Sequence, residues 1–375
     1  MRILLLGFTK LARMPYARLY TEALAARGHE LHVVFWNRDG RPESLDDVNV
    51  HQYHEFRRIQ EDEAAKITKV RSFLRYRRFV RRVIHDTQVD MLVVLHTMPG
   101  LTLLDMLIMQ FRGRYLLDFR DLTMEWFLPF RVAVGRLAAH SAAVFISSEA
   151  FRRFLPRGVP VYSSPNLDRG LLSLAVDRSD VPRAVDTIRV RFWGLVRHEV
   201  VNRSIVNGLG GDDRFELHYH GSGWRTADRL QRLAVDRGYT NVHFHGSYLP
   251  EDRYSFGSKT DLVLNVYEND FGTSHAMSNK YYDALALRVP QVCTADSFMG
   301  GEVARAGVGL CIDPTDDTFP DQLVAFYEGL CWQRFEEACE EELRSVEEAA
   351  RRAAQAVVRI VSDAGGGNPR LDGAK

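Results

Sequence analysis

The sequence predicts an α/β protein built from two Rossmann-like domains facing across a cleft, and three observations carry that expectation. Its 375 residues exceed one ordinary α/β domain and suit two, and 46% hydrophobic residues are enough for two sizeable cores. Strand-like apolar runs alternate with helix-length amphipathic segments from one end to the other, the pattern of a parallel sheet covered on both faces. The alternation breaks once, at 165–186, and then restarts.

The first domain is expected over 1–168. "RILLLG" (2–7) reads as its first strand, followed by a helix over roughly 14–27 and the strand "ELHVVFW" (30–36). A loop and a long basic helix lead to "VDMLVVL" (89–95), "RYLLDF" (114–119), "AAVFIS" (142–147) and "VPVYSS" (159–164), with helices between the first three. Residues 169–186 read as a linker. The second domain, 187–330, repeats the scheme with "TIRVRFWG" (187–194), "RFELHYHG" (214–221), "NVHFHG" (241–246), "DLVLNVY" (261–267), "PQVCTA" (290–295) and "GVGLCI" (307–312). Residues 331–362 read as a long acidic-then-basic helix, and 363–375 as a disordered tail. Open α/β sheets bind ligands beyond the carboxyl ends of their strands, so the cleft is the expected site.

Charge and cysteine usage narrow the class. The chain is neutral overall, yet residues 1–170 hold 26 Lys and Arg against 18 Asp and Glu, a balance of +8 that the remainder offsets with −8. A basic half suggests an anionic partner. Cys293, Cys311, Cys331 and Cys339 form no CxxC pair and read as thiols of a reducing cytosol. "MRILLLGF" is a first strand rather than a signal peptide, and no run approaches the roughly 18 apolar residues of a spanning helix. The expectation is a cytoplasmic protein, at most peripheral at the inner membrane face.

The stretch "GTSHAMSNKYYDALALRVPQVCTADS" (272–297) carries the most chemistry. It leaves a strand ending at Tyr267 and enters a helix near Met277 to Lys280, where free N–H groups and the helix dipole favour an anion. Gly272, Thr273, Ser274 and Ser278 allow close backbone approach and add hydroxyls, and Lys280 adds a full positive charge for phosphate. Asp283, one turn on, is placed for ribose hydroxyls. Phosphate with ribose means a nucleotide. The plainer alternative is a capped helix start with a solvated lysine.

"SNKYYDALALRVPQVCTA" resembles the donor-binding segment of GT-B nucleotide-sugar glycosyltransferases, in particular the retaining group-1, family 4-like bacterial enzymes. "IRVRFWGLVR" is similar to the first strand and phosphate loop of their C-terminal domain, and "LHYHGSG", with Gly221 and Gly223, to a strand ending in G-x-G. "NVHFHGSYLPEDRYSFGSKTDLVLNVY" and "SPNLDR" match further segments in order and spacing. The resemblance implies that Lys280 and Arg197 neutralise the diphosphate, and that Gly194 admits the backbone to it. It also implies that Asn279 with the amides near Ser278 completes an anion nest, and that Asp283 holds the ribose. Tyr267 falls on the same donor side. Two departures stand out. Many retaining members carry two glutamates separated by seven residues, whereas eight positions before Asp283 stands His275. The basic residues of the phosphate loop, Arg197 and Arg203, are at altered spacing.

No cofactor is expected beyond the donor substrate, and no metal. The absence of an Asp-x-Asp step counts against the metal-dependent GT-A class. The pairs His218/His220 and His243/His245, on two adjacent strands, offer a zinc set. The expected reading is instead that they pack against neighbouring helices or, for His220 and His245, border the donor pocket.

In the first half, "VVLHTMPG" puts His96 at a strand's carboxyl end, where a histidine of GT-B enzymes contacts the transferred sugar; the alternative is a half-buried loop histidine. "YLLDFRDLTMEW" is similar to the "RDL" step of bacterial polysaccharide-assembly members, with Asp121 as the acceptor-side acid and Arg120 as an anion contact, or else the two as a structural pair. Gly7, Thr9 and Lys10 in the first turn either bind acceptor phosphate or only turn the chain. The helix at 66–85 holds eight Lys and Arg. It fits an anionic membrane surface and a lipid-linked acceptor, or else pairs with the acidic C-terminal helix. No reader motif accompanies it, so no nucleic acid is expected.

The sequence-level expectation is a metal-independent glycosyltransferase that moves a sugar from a nucleotide diphosphate-sugar to a hydroxyl acceptor in polysaccharide biosynthesis, with retention implied by the resemblance. The alternatives are a sugar-nucleotide epimerase or hydrolase on the same fold, or a non-catalytic partner protein. A Rossmann oxidoreductase is disfavoured because no G-x-G-x-x-G follows the first strand.

Overall fold

The computed structural model describes residues 1–43, 45, 47–60, 65–173, 186–223 and 225–366. The first half runs β1 (Arg2–Leu6), α1 (Ala17–Ala25), β2 (Glu30–Asn37), β3 (Gln52–Arg57), α2 (Lys66–Thr87), β4 (Met91–Leu95), α3 (Thr97–Thr102), α4 (Leu104–Met109), β5 (Tyr115–Phe119), α5 (Leu128–Ala139), β6 (Ala143–Ile146), β7 (Val161–Ser163) and α6 (Arg169–Ser173). The second runs β8 (Ile188–Trp193), α7 (Glu199–Leu209), β9 (Phe215–His220), α8 (Arg225–Asp236), β10 (Val242–Gly246), α9 (Asp252–Gly257), β11 (Leu262–Asn265), α10 (Asn279–Leu287), β12 (Gln291–Thr294), α11 (Phe298–Ala306), β13 (Gly309–Ile312), α12 (Phe319–Glu328) and α13 (Trp332–Gly366).

Two sheets form, ordered β3-β2-β1-β4-β5-β6-β7 and β10-β9-β8-β11-β12-β13, and every strand pair is parallel. The apolar runs explain this: β1, β4, β5 and β6 bury nearly every residue, as strands covered on both faces must. In each sheet the order reverses beside the first strand, at β1/β4 and at β8/β11, which are the switch points where open sheets leave a ligand crevice.

The chain divides into one unit of Met1–Pro165 with everything from Glu348 onward, and a second of Asn166–Glu347. The C-terminal helix is therefore shared. Its Phe335 and Cys339 pack with Tyr281 and Met299, while Ala353, Ala356, Val357 and Val361 join the core of β1, β2 and α1. The expected linker overlaps 174–185, outside the described residues, as do 367–375 of the expected tail; residues 363–366 extend the helix instead. β3 occupies part of the segment expected as loop. It is a polar edge strand, so it lacks the continuous apolar run that marks the inner strands.

Candidate functional site

At the carboxyl ends of β8 and β9, three glycines let two loops interlock. Gly194 and Gly221 sit at φ 121° and 140°, where a side chain is strained. A Cβ on Gly221 would lie 1.8 Å from the Gly194 carbonyl oxygen, and one on Gly223 would lie 2.0 Å from that of Val196. The two loops thus pack backbone to backbone, and among the described residues the one atom within 4 Å of a Cβ on Gly194 would be Lys280 Nζ, at 3.9 Å.

Lys280 occupies the first turn of α10, behind Ser278, whose Oγ accepts from the Lys280 backbone N–H at 3.1 Å and caps the helix. Its side chain is 6% exposed. Nζ donates to the Tyr267 hydroxyl at 2.5 Å and stands 4.2 Å from the Phe192 ring centroid and 4.8 Å from that of Tyr267. Tyr267 in turn donates to Ser278 Oγ at 2.9 Å. The ammonium is thus held among two aromatic faces and a hydroxyl, beside the Gly194 turn, with no carboxylate among these contacts. A fixed charge of this kind is suited to an incoming phosphate. Asn279 is exposed at the helix start, and Arg197 is exposed on the loop that follows Gly194.

Asp283 is placed one turn below, but its carboxylate is 2% exposed. It accepts from Trp193 Nε1 at 2.9 Å and from Arg253 Nη1 at 3.0 Å, and Arg253 also pairs with Asp168. Burial pushes the carboxyl up, while the Arg253 guanidinium pulls it back. The expected ribose contact is thereby corrected to this extent: the carboxylate is buried and taken by Trp193 and Arg253, so Asp283 anchors the floor of the site. Asp168 and Arg253 were not singled out in the sequence, because a pair drawn from 85 residues apart leaves no local signal.

Sequence reasoning also missed His198 and Glu268. His198 occupies the position just before α7 at φ 60°, its ring 5.5 Å edge-on from Tyr267 and its Nδ1 3.8 Å from Glu268. Burial holds its imidazole below the usual range. A glutamate and a histidine thus flank the lysine's tyrosine. His275, where many relatives of the resembled family carry an acid, instead shares Nδ1 with Ser274 Oγ at 2.9 Å.

The four paired histidines form a stacked ladder on one sheet face. His218 Nδ1 and His245 Nε2 are 3.0 Å apart, and His220 lies between the rings of His245 and Phe256, at 4.2 and 4.1 Å. Burial pushes His218 down to about 3 and His220 down to about 4. Among the described residues no group of three or more His, Cys, Asp or Glu is arranged to hold a metal ion.

In the first unit, His96 caps α3 in a left-handed conformation, φ 91°, which a non-glycine residue adopts only at a cost of about 1–3 kcal/mol. Its Nδ1 accepts from the Met98 N–H at 3.2 Å, so the proton sits on Nε2, 3.6 Å from Asp121 Oδ2. Asp121 is the exposed member of this pair. Arg120 is different: at 5% exposure its guanidinium is committed to Asp118 and to Ser164, whose carbonyl accepts at 2.6 Å. The expected roles of anion contact and of partner to Asp121 are therefore corrected. Arg120 lies in a buried pair that fixes the β5 end. Gly7 is required by close approach, since a Cβ would meet Val34 O at 2.9 Å. Lys10 is paired with Asp39 at 2.5 Å, and Thr9 is half-buried beside it.

No family model and no curated protein matches the chain in sequence. Solved structures do match in shape. The sucrose-phosphate synthase of Thermosynechococcus elongatus superposes with a TM-score of 0.70 over 97% of this chain and 100% of its own, at 14% identity. The fold is GT-B. WaaG, a glycosyltransferase involved in lipopolysaccharide biosynthesis, matches over 95% of this chain and 99% of its own, with a TM-score of 0.63 at 13% identity. HepE of Anabaena, solved with UDP and glucose, matches over 98% and 100%, with a TM-score of 0.64 at 12% identity. At such identities the likeness is one of fold.

Proposed function

We propose that the protein is a metal-independent glycosyltransferase whose second unit binds a nucleotide diphosphate-sugar and whose first unit supplies the acceptor-side groups. The observation that carries this reading is the Lys280 ammonium, held by Tyr267 beside the Gly194 turn at a capped helix start. Lys280, Arg197 and the N–H groups of α10 stabilise the charge that develops on the departing diphosphate. The bond from the anomeric carbon to the phosphate oxygen breaks with its electron pair going to the diphosphate, and the acceptor oxygen bonds to that carbon. In the retaining form that we favour, the departing phosphate oxygen takes the acceptor proton. The solved HepE complex with UDP and glucose supports a nucleotide-sugar on this fold.

On the acceptor side, the strained His96 with Asp121 is the reading for the hydroxyl-bearing substrate, a glycan or lipid-linked sugar of polysaccharide assembly. A contact of α2 with the cytoplasmic face of a membrane belongs to the same reading.

The test is release of nucleoside diphosphate from a panel of nucleotide-sugars, with and without lipid-linked and free glycan acceptors. Transfer predicts release that requires an acceptor. Donor consumption without one would point to a hydrolase or epimerase. No consumption, together with a stable heteromeric complex, would point to a partner protein.

A further inference from the structure

The loop that follows Gly194 is built around one buried side chain. Asn202, 1% exposed, donates from Nδ2 to the carbonyls of Arg197 at 2.6 Å and His198 at 3.0 Å, and its Oδ1 accepts from the buried Tyr219 hydroxyl at 3.1 Å. The Val196 N–H donates across to Ser222 O at 3.1 Å. So clamped, the chain enters α7 with His198 at φ 60°, a left-handed conformation that costs a non-glycine residue about 1–3 kcal/mol. Strain of this kind is retained where it aims a side chain.

The clamp aims the imidazole at the Lys280 cluster. The ring lies edge-on to Tyr267, whose hydroxyl takes the Lys280 ammonium, and Nδ1 faces Glu268 at 3.8 Å. Glu268 is itself oriented, its Oε1 accepting from the Val200 N–H at 3.2 Å. A carboxylate on that side favours the tautomer with its proton on Nδ1, which leaves Nε2 as the basic nitrogen. Among the described residues nothing pairs with Nε2. The other charged groups around the ring are otherwise engaged or open to solvent. Asp270 is turned back on the Gly272 and Thr273 N–H groups at 2.8 Å, Glu199 is taken by Arg203 and Arg229, Arg197 is exposed, and Lys280 shares Tyr267. Burial holds the imidazole below its usual range, against the pull of Glu268 and Asp270. An anion set against Nε2 would favour the charged ring again.

From this we infer that His198 is a second, protonatable contact for the donor's diphosphate, and that its Nε2 takes up a proton from solvent as the diphosphate binds. The inference rests on the donor site of the proposed function. To the permanent charge of Lys280 it adds a cation that forms in the loaded state, with Glu268 balancing it from the Nδ1 side. The sign follows from linkage. Binding raises the affinity of the ring for a proton, so the contribution of His198 to nucleotide affinity is greatest at low pH and is lost as pH rises through the titration of the loaded site. Each unit by which binding raises the pKa makes that contribution tenfold.

The test is isothermal titration calorimetry of the full chain with UDP, GDP, ADP and dTDP, at pH 6 and pH 8, in pairs of buffers that differ in ionisation enthalpy. Wild type is compared with H198N and H198R. Asparagine accepts the left-handed backbone, so H198N keeps the loop, and urea unfolding checks both variants. The terminal phosphate of each ligand also titrates, but equally for all three proteins, so it cancels between them. Wild type should take up more protons than H198N on binding, by about half a proton or more near the midpoint. The ratio of wild-type to H198N affinity should be about tenfold larger at pH 6 than at pH 8. H198R, with a fixed charge, should bind more tightly than H198N at pH 8 and show no such excess of protons. A proton count in H198N equal to that of wild type overturns the inference, as does an affinity ratio that is the same at both pH values, the result of a purely structural His198. Either leaves the donor site standing. Failure of every nucleotide to bind the wild-type chain overturns the donor site and this inference with it.

Discussion

Asp283→Ala removes the acceptor that Trp193 Nε1 and Arg253 share, and the structure sets what that should cost. Trp193 is 1% exposed, so its N–H would be left buried and unpaired, a loss of about 1–3 kcal/mol. The charge-assisted bond from Arg253 at 3.0 Å adds about 1.5 kcal/mol, at the low end because Asp168 still pairs with the guanidinium. With the small cavity, the sum is about 4 kcal/mol. Asp283→Asn keeps an acceptor for Trp193 and loses the charge alone, so about 2 kcal/mol is expected. For a unit of this size m in urea is about 2 kcal/mol/M, which places the unfolding midpoint of the alanine variant about 2 M lower and that of the asparagine variant about 1 M lower. Tryptophan fluorescence reads both. The reasoning fails if Asp283→Ala costs less than about 1 kcal/mol while nucleotide binding disappears, for the carboxylate would then be a ligand contact and not an anchor.

Three further outcomes follow from the same geometry. Gly221→Ala must push its Cβ out of a 1.8 Å contact with Gly194 O at a φ that disfavours side chains, so a loss of about 4 kcal/mol in urea unfolding is expected, together with weakened nucleotide binding. Asp118→Ala strands the buried Arg120 guanidinium, and a loss of about 3–5 kcal/mol should appear in the unfolding of the first unit, with thermal melts as the check. The histidine ladder makes stability depend on pH. His218 and His220 titrate lower folded than unfolded, so between about 6.5 and 4 the unfolded chain binds more protons, and stability falls as pH falls through that window. The slope is a fraction of about 1.4 kcal/mol per pH unit for each ring, because both are partly solvated. Melting temperatures of His218→Asn/His220→Asn should fall less steeply over the same range.

The inner strands β1, β4, β5, β6 and β11 were legible because parallel strands buried on both faces must be apolar along their length, while β9 and β10 showed as alternating runs bounded by turn residues. β3 did not, being an edge strand with Gln52, His54 and Glu55 in it. Lys280 could be placed at a helix start because Ser278 is a local capping signal. The partners of Asp283, Arg120 and Lys10 could not be read, since each is fixed by tertiary contact: Arg253 lies 30 residues from Asp283, and Ser164 lies 44 from Arg120. Charge at a strand end signalled that a pair or a site must exist there. Only packing decides which, and for Arg120 it decided on a pair with Asp118 two residues away. The basic stripe of α2 was visible in sequence, but the division of its apolar residues into buried Tyr76, Val80 and Val83 and exposed Ile67, Val70 and Leu74 was not.

The central claim is that Lys280 is a diphosphate contact. The most direct measurement is a thermal-shift titration of the purified chain with UDP, GDP, ADP, CMP and dTDP, repeated on Lys280→Ala and scored as the ligand-induced shift within each protein. At about 100 times its dissociation constant a bound nucleotide adds roughly 2.7 kcal/mol. A clear shift with one nucleoside diphosphate that disappears in Lys280→Ala is the predicted result. No shift with any nucleotide, or one that Lys280→Ala retains in full, would contradict the claim.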